Sequence, residues 1–216
     1  MINVVHAFTG VDAQYMAEKK VWGKDNINVV GSMEIDVDAI ISCALIHENE
    51  KFHKHMEKEW SNEDYANVRE WLRKRNIGFD FKTNKSKLDR MKKDKLKQLY
   101  VASVCIKNYG DISLANKVKL KDEIDLFTYS FPCTDISVAG KQEGLSKGSG
   151  TRSGLLWECE QFIVNNKPKV LVMENVKNLV GSKFINEFNS WLGVLGELGY
   201  KSYWKVLNAK GYFVYL

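Results

Sequence analysis

Proline and cysteine are scarce in this sequence of 216 residues. The two prolines, Pro132 and Pro168, leave no proline-rich linker that could divide the chain. None of the four cysteines forms a Cys-x-x-Cys pair, and the N-terminus has no basic segment followed by an apolar stretch. No apolar run approaches membrane-spanning length. We therefore expect free thiols in a reducing cytoplasm, and no membrane partner.

The composition is that of an ordinary globular protein. Hydrophobic residues make up 44% and charged residues 27%, with a formal net charge of +5 and a pI of about 8.8. A basic balance suits a polyanionic partner, although by itself it discriminates poorly between functions. His47, His53 and His55 are close in sequence, but no cysteine pair joins them. We therefore expect no metal site.

Apolar and helical segments alternate along most of the chain. The run from Ile2 to Phe8 has no internal turn residue, which predicts a buried parallel strand. Further strands are predicted at 29–35, 124–130, 170–173 and 203–207, and helices at 13–20, 38–46, 154–166 and 182–198. This order predicts an α/β fold with a doubly wound sheet.

A polar segment, residues 47–107, interrupts that alternation and is predicted to be a helical insertion within the domain. Eight basic residues and two acidic ones fall between Lys82 and Lys97. Such a charge run is typical of a solvated helix face, and it is also typical of a surface that contacts phosphate. Both interpretations are open at this point.

Two groups of residues could hold a nucleoside. Gly10 follows the first predicted strand, where glycine lets the backbone approach a ligand closely, and Glu34 ends the second strand, where a carboxylate can accept hydrogen bonds from ribose hydroxyls. The full Gly-x-Gly-x-x-Gly pattern is absent, because Asp12 and Ala13 occupy glycine positions. A ligand without a pyrophosphate needs fewer glycines, which favours adenosine. The alternative is that Gly10 is a simple turn and Glu34 a solvated strand end.

Two further groups could carry chemistry. Cys133 follows Pro132 just after a predicted strand, and a cysteine beyond a strand is better placed to react than one within it. The alternative is a small core residue. Glu174 ends another apolar strand; the alternative there is that Glu174 or Asn175 caps a following helix.

In combination and in order, these segments resemble the DNA cytosine-5 methyltransferase family. The matching segments are Ala7-Phe-Thr-Gly10, Glu34, Tyr109-Gly-Asp111-Ile112, Phe131-Pro-Cys133, Ser137 to Gly144, Arg152-Ser-Gly-Leu155, Glu174-Asn-Val176 and Lys205 to Ala209. An amino-group methyltransferase would instead have a proline–proline–aromatic motif and would need no cysteine at position 133.

The resemblance implies a Rossmann-like S-adenosylmethionine-dependent methyltransferase sheet and a set of roles. Cys133 would be the nucleophile and Glu174 the carboxyl group that holds the base, with Asn175 and Arg152 as further catalytic residues. The cofactor, S-adenosyl-L-methionine, would be bound by the side chains and backbone of Phe8, Gly10, Glu34, Ile35, Asp111, Ile112, Pro132 and Leu155. Ile35 departs from the aromatic residue common in the family, so it would stack less well on adenine. The implied substrate is double-stranded DNA.

The resemblance ends before the family's later motifs. After Ala209 the family continues into a glutamine–arginine motif, a target-recognition domain and closing motifs, whereas this sequence ends at Leu216. We therefore expect residues 1–216 to form a catalytic domain that is incomplete at its C-terminus. Three hypotheses remain: a subunit of a split enzyme with a second chain, a truncated non-catalytic remnant, and an RNA cytosine-5 methyltransferase.

Overall fold

A computed structural model describes residues 1–81, 83–137, 145–148, 152–208 and 211. The chain divides into two compact units. The first comprises Met1–Pro132 and Leu155–Glu174, and the second comprises Cys133–Gly154 and Asn175–Leu216. Within the described ranges, no helix is long and apolar enough to cross a membrane.

The first unit contains all of the described strands and all but one of the described α-helices. In chain order they are β1 (Ile2–Ala7), α1 (Ala13–Trp22), β2 (Ile27–Met33), α2 (Val37–His47), α3 (Asn49–Met56), α4 (Asn62–Arg73), the short strands β3 (Phe79–Asp80) and β4 (Lys85–Ser86), α5 (Lys93–Cys105), α6 (Ile112–Ala115), β5 (Leu126–Tyr129), α7 (Leu156–Asn166) and β6 (Val170–Met173). The second unit contains α8 (Ile185–Glu197).

The first unit is organised around a sheet of four parallel strands in the order β2-β1-β5-β6. Its central strand β1 is apolar and buried, as strands covered on both faces must be, and its Val4 and Val5 are fully buried. Parallel pairing puts the carboxyl ends of all these strands at one edge of the sheet. The α/β class and the parallel sheet expected from the sequence are confirmed.

Several of the helices begin at a residue whose side chain caps them. The side chain of Asp36 accepts hydrogen bonds from the backbone N–H groups of Asp38 and Ala39 at the start of α2. Ser61 and Asp64 form a reciprocal capping box at the start of α4. These local signals and the apolar spacing explain why the predicted helices lie close to the observed ones.

The segment 47–107 contributes α3, α4, β3, β4 and α5, and shares one hydrophobic core with α2. The core side chains include Ile40, Phe52, Leu72, Ile77 and Leu96. The boundaries of this insertion stay a prediction, since the structure alone does not define what is inserted.

The basic run of this segment is partly engaged with the protein itself. The ammonium group of Lys95 lies 2.8 Å from Asp38, and that of Lys87 lies 3.9 Å from Asp36. Lys93 donates to Asn62, and Lys97 donates to the carbonyl oxygen of Met56. These contacts involve four of the eight basic residues of the run, so they are compatible with a solvated helix face, and the interpretation of a phosphate-contacting surface stays open as well.

The strand predicted at 203–207 is wrong. Residues 201–208 have no regular secondary structure, and their side chains are exposed, with Tyr203 at 90%. An alternating apolar segment becomes a strand only when another strand offers ladder hydrogen bonds. Within the ranges that the structure describes, residues 203–207 pair with no strand.

Candidate functional site

A strained loop follows β1 at the carboxyl edge of the sheet. Phe8, Gly10 and Asp12 have positive φ values of 57°, 56° and 62°. Only glycine adopts this left-handed conformation without strain, and a bulky residue such as Phe8 does so only when its surroundings impose it. Thr9 provides such an anchor, because its side-chain hydroxyl group lies within hydrogen-bonding distance of the His6 and Met33 carbonyl oxygens. Strain of this kind clusters at ligand sites.

Glu34, just past the end of β2, faces this loop. Its Oε2 accepts a hydrogen bond from the Gly10 amide at 2.9 Å, and its Oε1 accepts from the amides of Ile35 and Asp36 at 2.7 and 2.8 Å. The predicted site residues Gly10 and Glu34 are therefore in direct contact. A carboxylate offers about four acceptor positions, so at least one remains for a ligand hydroxyl group.

Asn108 connects Glu34 to the segment that carries Asp111. Its Oδ1 accepts from the amides of Glu34 and Gly110, both at 3.0 Å, and its Nδ2 donates to the Glu34 carbonyl oxygen at 2.9 Å. Asp111 is buried and accepts hydrogen bonds from the Ser113 amide and from Asn76. A single amide side chain thus fixes two predicted cofactor segments relative to each other.

These features fit an adenosine ligand. A Cβ atom added at Gly10 would meet no atom within 4 Å, so the loop borders open space. The Glu34 carboxylate, which contacts the Gly10 amide, has an acceptor position for a ribose hydroxyl group. Asp111 and Ile112 are buried, and their contact with a base stays a prediction.

The remaining predicted cofactor residues also belong to the first unit. Ile35 and Phe8 are half-buried and lie next to Glu34 and Thr9 in the chain. Pro132 and Leu155 are half-buried where the chain passes between the two units. Their contact with a cofactor stays a prediction.

Cys133 differs from the other three cysteines in its exposure. Cys43, Cys105 and Cys159 are buried, whereas Cys133 is half-buried. Burial raises the pKa of the Cys43 thiol to about 12, and it also raises the pKa of the Cys105 and Cys159 thiols. A thiol reacts as its thiolate, so these three are poor nucleophiles at neutral pH.

The backbone around Cys133 forms a turn held by a buried carboxylate. The Cys133 carbonyl oxygen accepts from the amides of Ile136 and Ser137 at 3.1 and 2.8 Å. Asp135 accepts from the Ser153 amide at 3.0 Å, and the Asp135 amide donates to the Ser153 hydroxyl group at 3.3 Å. Within the second unit, this pair joins the Cys133 turn to the segment that carries Arg152, whose side chain is exposed.

Glu174 and Asn175 follow β6. The Glu174 amide donates to the Tyr129 carbonyl oxygen at 3.3 Å, which extends the β5–β6 pairing by one step, and its side chain is exposed. The Asn175 side chain accepts from the Val176 amide at 2.9 Å. Asn175 thus satisfies the adjacent amide and does not cap a helix, because the 3₁₀ helix 177–180 begins after Val176 without a side-chain cap. The Glu174 side chain is exposed.

Two of the predicted segments fall partly or wholly beyond what can be described. Residues 138–144, most of the segment that resembles the family's catalytic loop, lie outside the described residues, as do Ala209 and the apolar tail 212–216. In the described ranges, no group of three or more His, Cys, Asp or Glu side chains could hold a metal ion.

Sequence reasoning missed three residues that organise the site: Asn108, Asp135 and Asn76. Asn108 and Asp135 stand directly beside quoted motif residues, in Asn108-Tyr-Gly-Asp111 and Cys133-Thr-Asp135. A polar residue next to a motif in a buried segment is the signal that could have found them. Asn76 carries no such signal, since it lies 35 positions from its partner Asp111.

Comparison with known proteins identifies the family. Residues 72–214 match the family model described as C-5 cytosine-specific DNA methylase. The chain belongs to the C-5 cytosine-specific DNA methylase family. Enzymes of this family use S-adenosyl-L-methionine as the methyl donor. The resemblance inferred from the ordered motifs is therefore confirmed.

Several bacterial methyltransferases are similar to this family member. Type II methyltransferase M2.ScrFI of Lactococcus lactis subsp. cremoris is 44% identical over 214 residues, covering 98% of this chain and 57% of that protein. Orphan methyltransferase M.SssI of Spiroplasma monobiae is 41% identical over 218 residues, covering 96% and 55%. Type II methyltransferase M.HhaI of Haemophilus parahaemolyticus is 34% identical over 115 residues, covering 53% and 34%. The chain spans just over half the length of the first two relatives.

Proposed function

We propose that this chain is the cofactor-binding and nucleophile-bearing part of a DNA cytosine-5 methyltransferase. It would transfer a methyl group from S-adenosyl-L-methionine to carbon 5 of cytosine in double-stranded DNA. The observation that carries the proposal is that Cys133 is half-buried and follows Pro132 in a family-matching motif, whereas the other three cysteines are buried. The Glu34 carboxylate, held beside the open space at Gly10, supports the cofactor assignment.

The thiol is what the chemistry of cytosine requires. Carbon 5 of the ring is a poor nucleophile. Addition of the Cys133 thiolate to carbon 6 forms a carbon–sulfur bond and moves an electron pair toward carbon 5, which can then attack a methyl group. The cofactor supplies that methyl group. Loss of the proton on carbon 5 then returns an electron pair to the ring, and the thiolate leaves carbon 6.

The other catalytic residues are assigned roles by their chemistry. Glu174 would hold the ring at nitrogen 3 and the exocyclic amine, stabilising the charge that develops when the thiolate adds. The target base must leave the DNA stack to reach such groups. Asn175 would fix the backbone after Glu174, and Arg152 would contact a phosphate or the base. The exposed side chains of Glu174 and Arg152 are compatible with these roles.

The cofactor would be bound by residues of the first unit. Glu34 would accept from the ribose hydroxyl groups, and the Phe8–Gly10 loop would approach the cofactor backbone. Asp111 and Ile112 would contact the adenine, with Ile35, Pro132 and Leu155 packing around it. The acceptor position left on the Glu34 carboxylate supports this arrangement.

We further propose that polypeptide outside these 216 residues, carried by a second chain, supplies most of the DNA recognition. The proposal rests on the alignment, which covers 57% and 55% of the two relatives that match nearly the whole chain. The catalytic groups would lie within this chain, while the second chain would add affinity and sequence choice. The relatives named type II methyltransferases support a role in restriction–modification. Protection of phage DNA is the alternative role that the family resemblance implies.

Covalent trapping tests the proposal. A DNA duplex in which 5-fluorocytosine replaces cytosine has no proton to lose at carbon 5, so the thiolate cannot be eliminated after methyl transfer. The chain, at concentrations matching the DNA and with S-adenosyl-L-methionine, should form a complex that survives denaturing electrophoresis. Cys133→Ala should form none.

A binding control separates chemistry from folding. Cys133→Ala should bind S-adenosyl-L-methionine with wild-type affinity in titration calorimetry, because the thiol acts only on the base. An equal amount of trapped complex with Cys133→Ala would overturn the proposed mechanism. No trapped complex with the wild-type chain would overturn the proposal that the catalytic groups of this chain suffice without the second chain.

A further inference from the structure

A buried histidine between two carboxylates lies directly behind the loop that follows β1. His6 is fully buried, and its Nδ1 is 2.9 Å from Asp12 Oδ2, while its Nε2 is 3.2 Å from both carboxylate oxygens of Glu18. Asp12 and Glu18 are themselves 4% and 6% exposed. Carboxylate oxygens only accept hydrogen bonds, so an imidazolium that donates from both nitrogens satisfies the cluster.

The charge balance of the cluster favours the imidazolium. Burial by itself lowers the pKa of His6, but the hydrogen bonds and charges of Asp12 and Glu18 outweigh it and raise the pKa to about 9. Buried charges are tolerated when they are paired in this way, and removing one partner leaves an uncompensated charge.

Asp12 connects the His6 side chain to the backbone of the loop. It adopts a left-handed conformation, with φ 62° and ψ 55°, at a glycine position of the Gly-x-Gly-x-x-Gly pattern. Its amide donates to the Thr9 carbonyl oxygen at 2.8 Å, and its Oδ1 accepts from the Tyr15 amide at the start of α1. Aspartate tolerates this conformation better than most residues, although at a cost that its contacts must offset.

The loop between β1 and α1 is therefore attached to His6 at two places. The His6 side chain holds Asp12 at the end of the loop, and the His6 carbonyl oxygen accepts from the Thr9 hydroxyl group at 3.0 Å. Between these attachments lies Gly10, whose amide donates to Glu34.

We propose that His6 is a positioning residue for the cofactor loop, Phe8 to Asp12. Bridging Asp12 and Glu18, it holds Asp12 in the left-handed conformation that a glycine would adopt freely, and so keeps Gly10 opposite Glu34. The ion pair thereby takes the place of the second glycine of the usual motif. This inference rests on the proposed function, because it takes the loop to be the one that binds S-adenosyl-L-methionine.

Other groups around the cluster set its electrostatics. The register partners of His6 on the neighbouring strands, Ser32 and Thr128, carry hydroxyl groups and no charge. The Tyr15 ring is 6.3 Å from the His6 ring and is contacted in turn by His47 and Lys19. Asp12 also acts electrostatically on Tyr15 and Cys43, and Glu18, Lys19, Glu34 and Glu48 each act on one or both of these groups. The further titratable residues on α1, on α2 and at the N-cap of α2 are Lys20, Asp36, Asp38 and His47. Asp12 and Glu18 alone contact the ring nitrogens among the described groups.

A double-mutant cycle on cofactor affinity tests the inference. S-adenosyl-L-methionine binding is measured by calorimetry at pH 7 for the wild-type chain, His6→Asn, Asp12→Gly and the double variant. His6→Asn should weaken binding about tenfold, within the range of coupling between contacting residues. Asp12→Gly should bind within about threefold of wild type, because glycine adopts the left-handed conformation without support. Adding His6→Asn to Asp12→Gly should then cause no further loss.

A substitution at an exposed histidine serves as the matched control for His6→Asn. His55→Asn makes the same substitution at an exposed histidine on α3 and should leave affinity unchanged. Equal losses from His6→Asn in both backgrounds would overturn the inference, since His6 would then act independently of Asp12. Wild-type affinity in His6→Asn would overturn it as well.

Hydrogen exchange in the ligand-free chain gives a readout that needs no cofactor. The amides of Gly10 and Asp12, which donate to Glu34 and Thr9, should exchange faster in His6→Asn, while the Ile40 amide within α2 should not change. Unchanged protection at Gly10 and Asp12 would overturn the inference. A wild-type chain that binds no S-adenosyl-L-methionine would instead overturn the proposed function, and the exchange data would then decide whether His6 holds the loop.

Discussion

Replacing Gly110 by alanine should disrupt the adenine-side segment of the proposed cofactor site. Gly110 has a φ of +84°, and a Cβ atom there would lie 2.3 Å from the Arg75 carbonyl oxygen. Both the conformation and the contact are therefore unfavourable for alanine. The same carbonyl oxygen accepts from the Asp111 amide at 2.9 Å, so any shift that relieves the clash also breaks this hydrogen bond.

The expected magnitude follows from these contributions. A non-glycine residue in the left-handed region costs about 1–2 kcal/mol. Relieving the overlap adds about 1–3 kcal/mol, and the lost hydrogen bond about 1 kcal/mol. These costs do not simply add, because a backbone shift that relieves the clash with Arg75 also relieves part of the strain. We therefore expect Gly110→Ala to lower the free energy of unfolding by about 3–4 kcal/mol. Urea denaturation followed by circular dichroism measures this change, and calorimetry should show weaker S-adenosyl-L-methionine binding.

Gly23→Ala is the matched control in the same unit. Gly23 has a similar φ of +80°, but the nearest atom to an added Cβ is the flexible Asn26 Nδ2 at 3.8 Å. With ψ at 144°, Gly23 lies in a region that residues other than glycine rarely adopt, so this variant should carry a backbone cost of about 1–3 kcal/mol but no clash. It should leave cofactor affinity unchanged. If Gly110→Ala proves as stable as Gly23→Ala, the reasoning from the Arg75 contact is refuted.

The His6 cluster makes stability depend on pH. The folded-state pKa of His6 is about 9 and the unfolded value 6.5, so the stabilisation is fully present below pH 6.5 and is lost as pH rises through about 9. This difference corresponds to about 3 kcal/mol. Urea denaturation between pH 6 and 10 should show that the free energy of unfolding falls with pH in the wild-type chain and not in His6→Asn. The same pH dependence in both proteins would contradict the assignment to His6. Glu34→Gln should weaken S-adenosyl-L-methionine binding at least about tenfold, nearly as much as Glu34→Ala. The reason is that the new amide N–H cannot accept hydrogen bonds from the Gly10, Ile35 or Asp36 amides. An unchanged affinity in calorimetry would refute the assignment of Glu34 to the ribose. Brief iodoacetamide treatment at pH 8 should alkylate Cys133 before the three buried thiols. Peptide mass spectrometry that finds Cys43, Cys105 or Cys159 modified first would contradict the assignment.

The strands and helices near the sheet were predictable because their signals are local. The apolar run after Met1 and the acidic caps such as Asp36 fix β1 and α2 to within a few residues of where they were expected. The segment 203–207 shows the limit of that reasoning. Its alternation satisfies the pattern of a strand, but a strand also requires a partner, and no local pattern reports whether one is present.

The candidate site was predictable at positions where the residue type itself indicates a chemical role. The sequence predicts that Gly10 and Glu34 belong to one nucleoside site, and in the structure the Gly10 amide donates to Glu34 at 2.9 Å. The residues that hold them were not, because they act over long sequence separations: Asn108 lies 74 positions from Glu34.

His6 is a second residue whose role could not be predicted from the sequence. In an apolar strand it gives no sign of function, and its partners Asp12 and Glu18 belong to a loop and a helix whose packing only the fold determines. Sequence patterns thus locate the reacting groups, while the groups that position them depend on tertiary contacts.

The central claim, that this chain methylates carbon 5 of cytosine through Cys133, is tested most directly by analysing the product. The chain is incubated with labelled S-adenosyl-L-methionine and mixed-sequence double-stranded DNA, at chain concentrations that match the DNA, and the digested nucleosides are identified by mass spectrometry. The account predicts labelled 5-methylcytosine with the wild-type chain and none with Cys133→Ala. A wild-type reaction without 5-methylcytosine, label on another base atom, or 5-methylcytosine that persists in Cys133→Ala would contradict it.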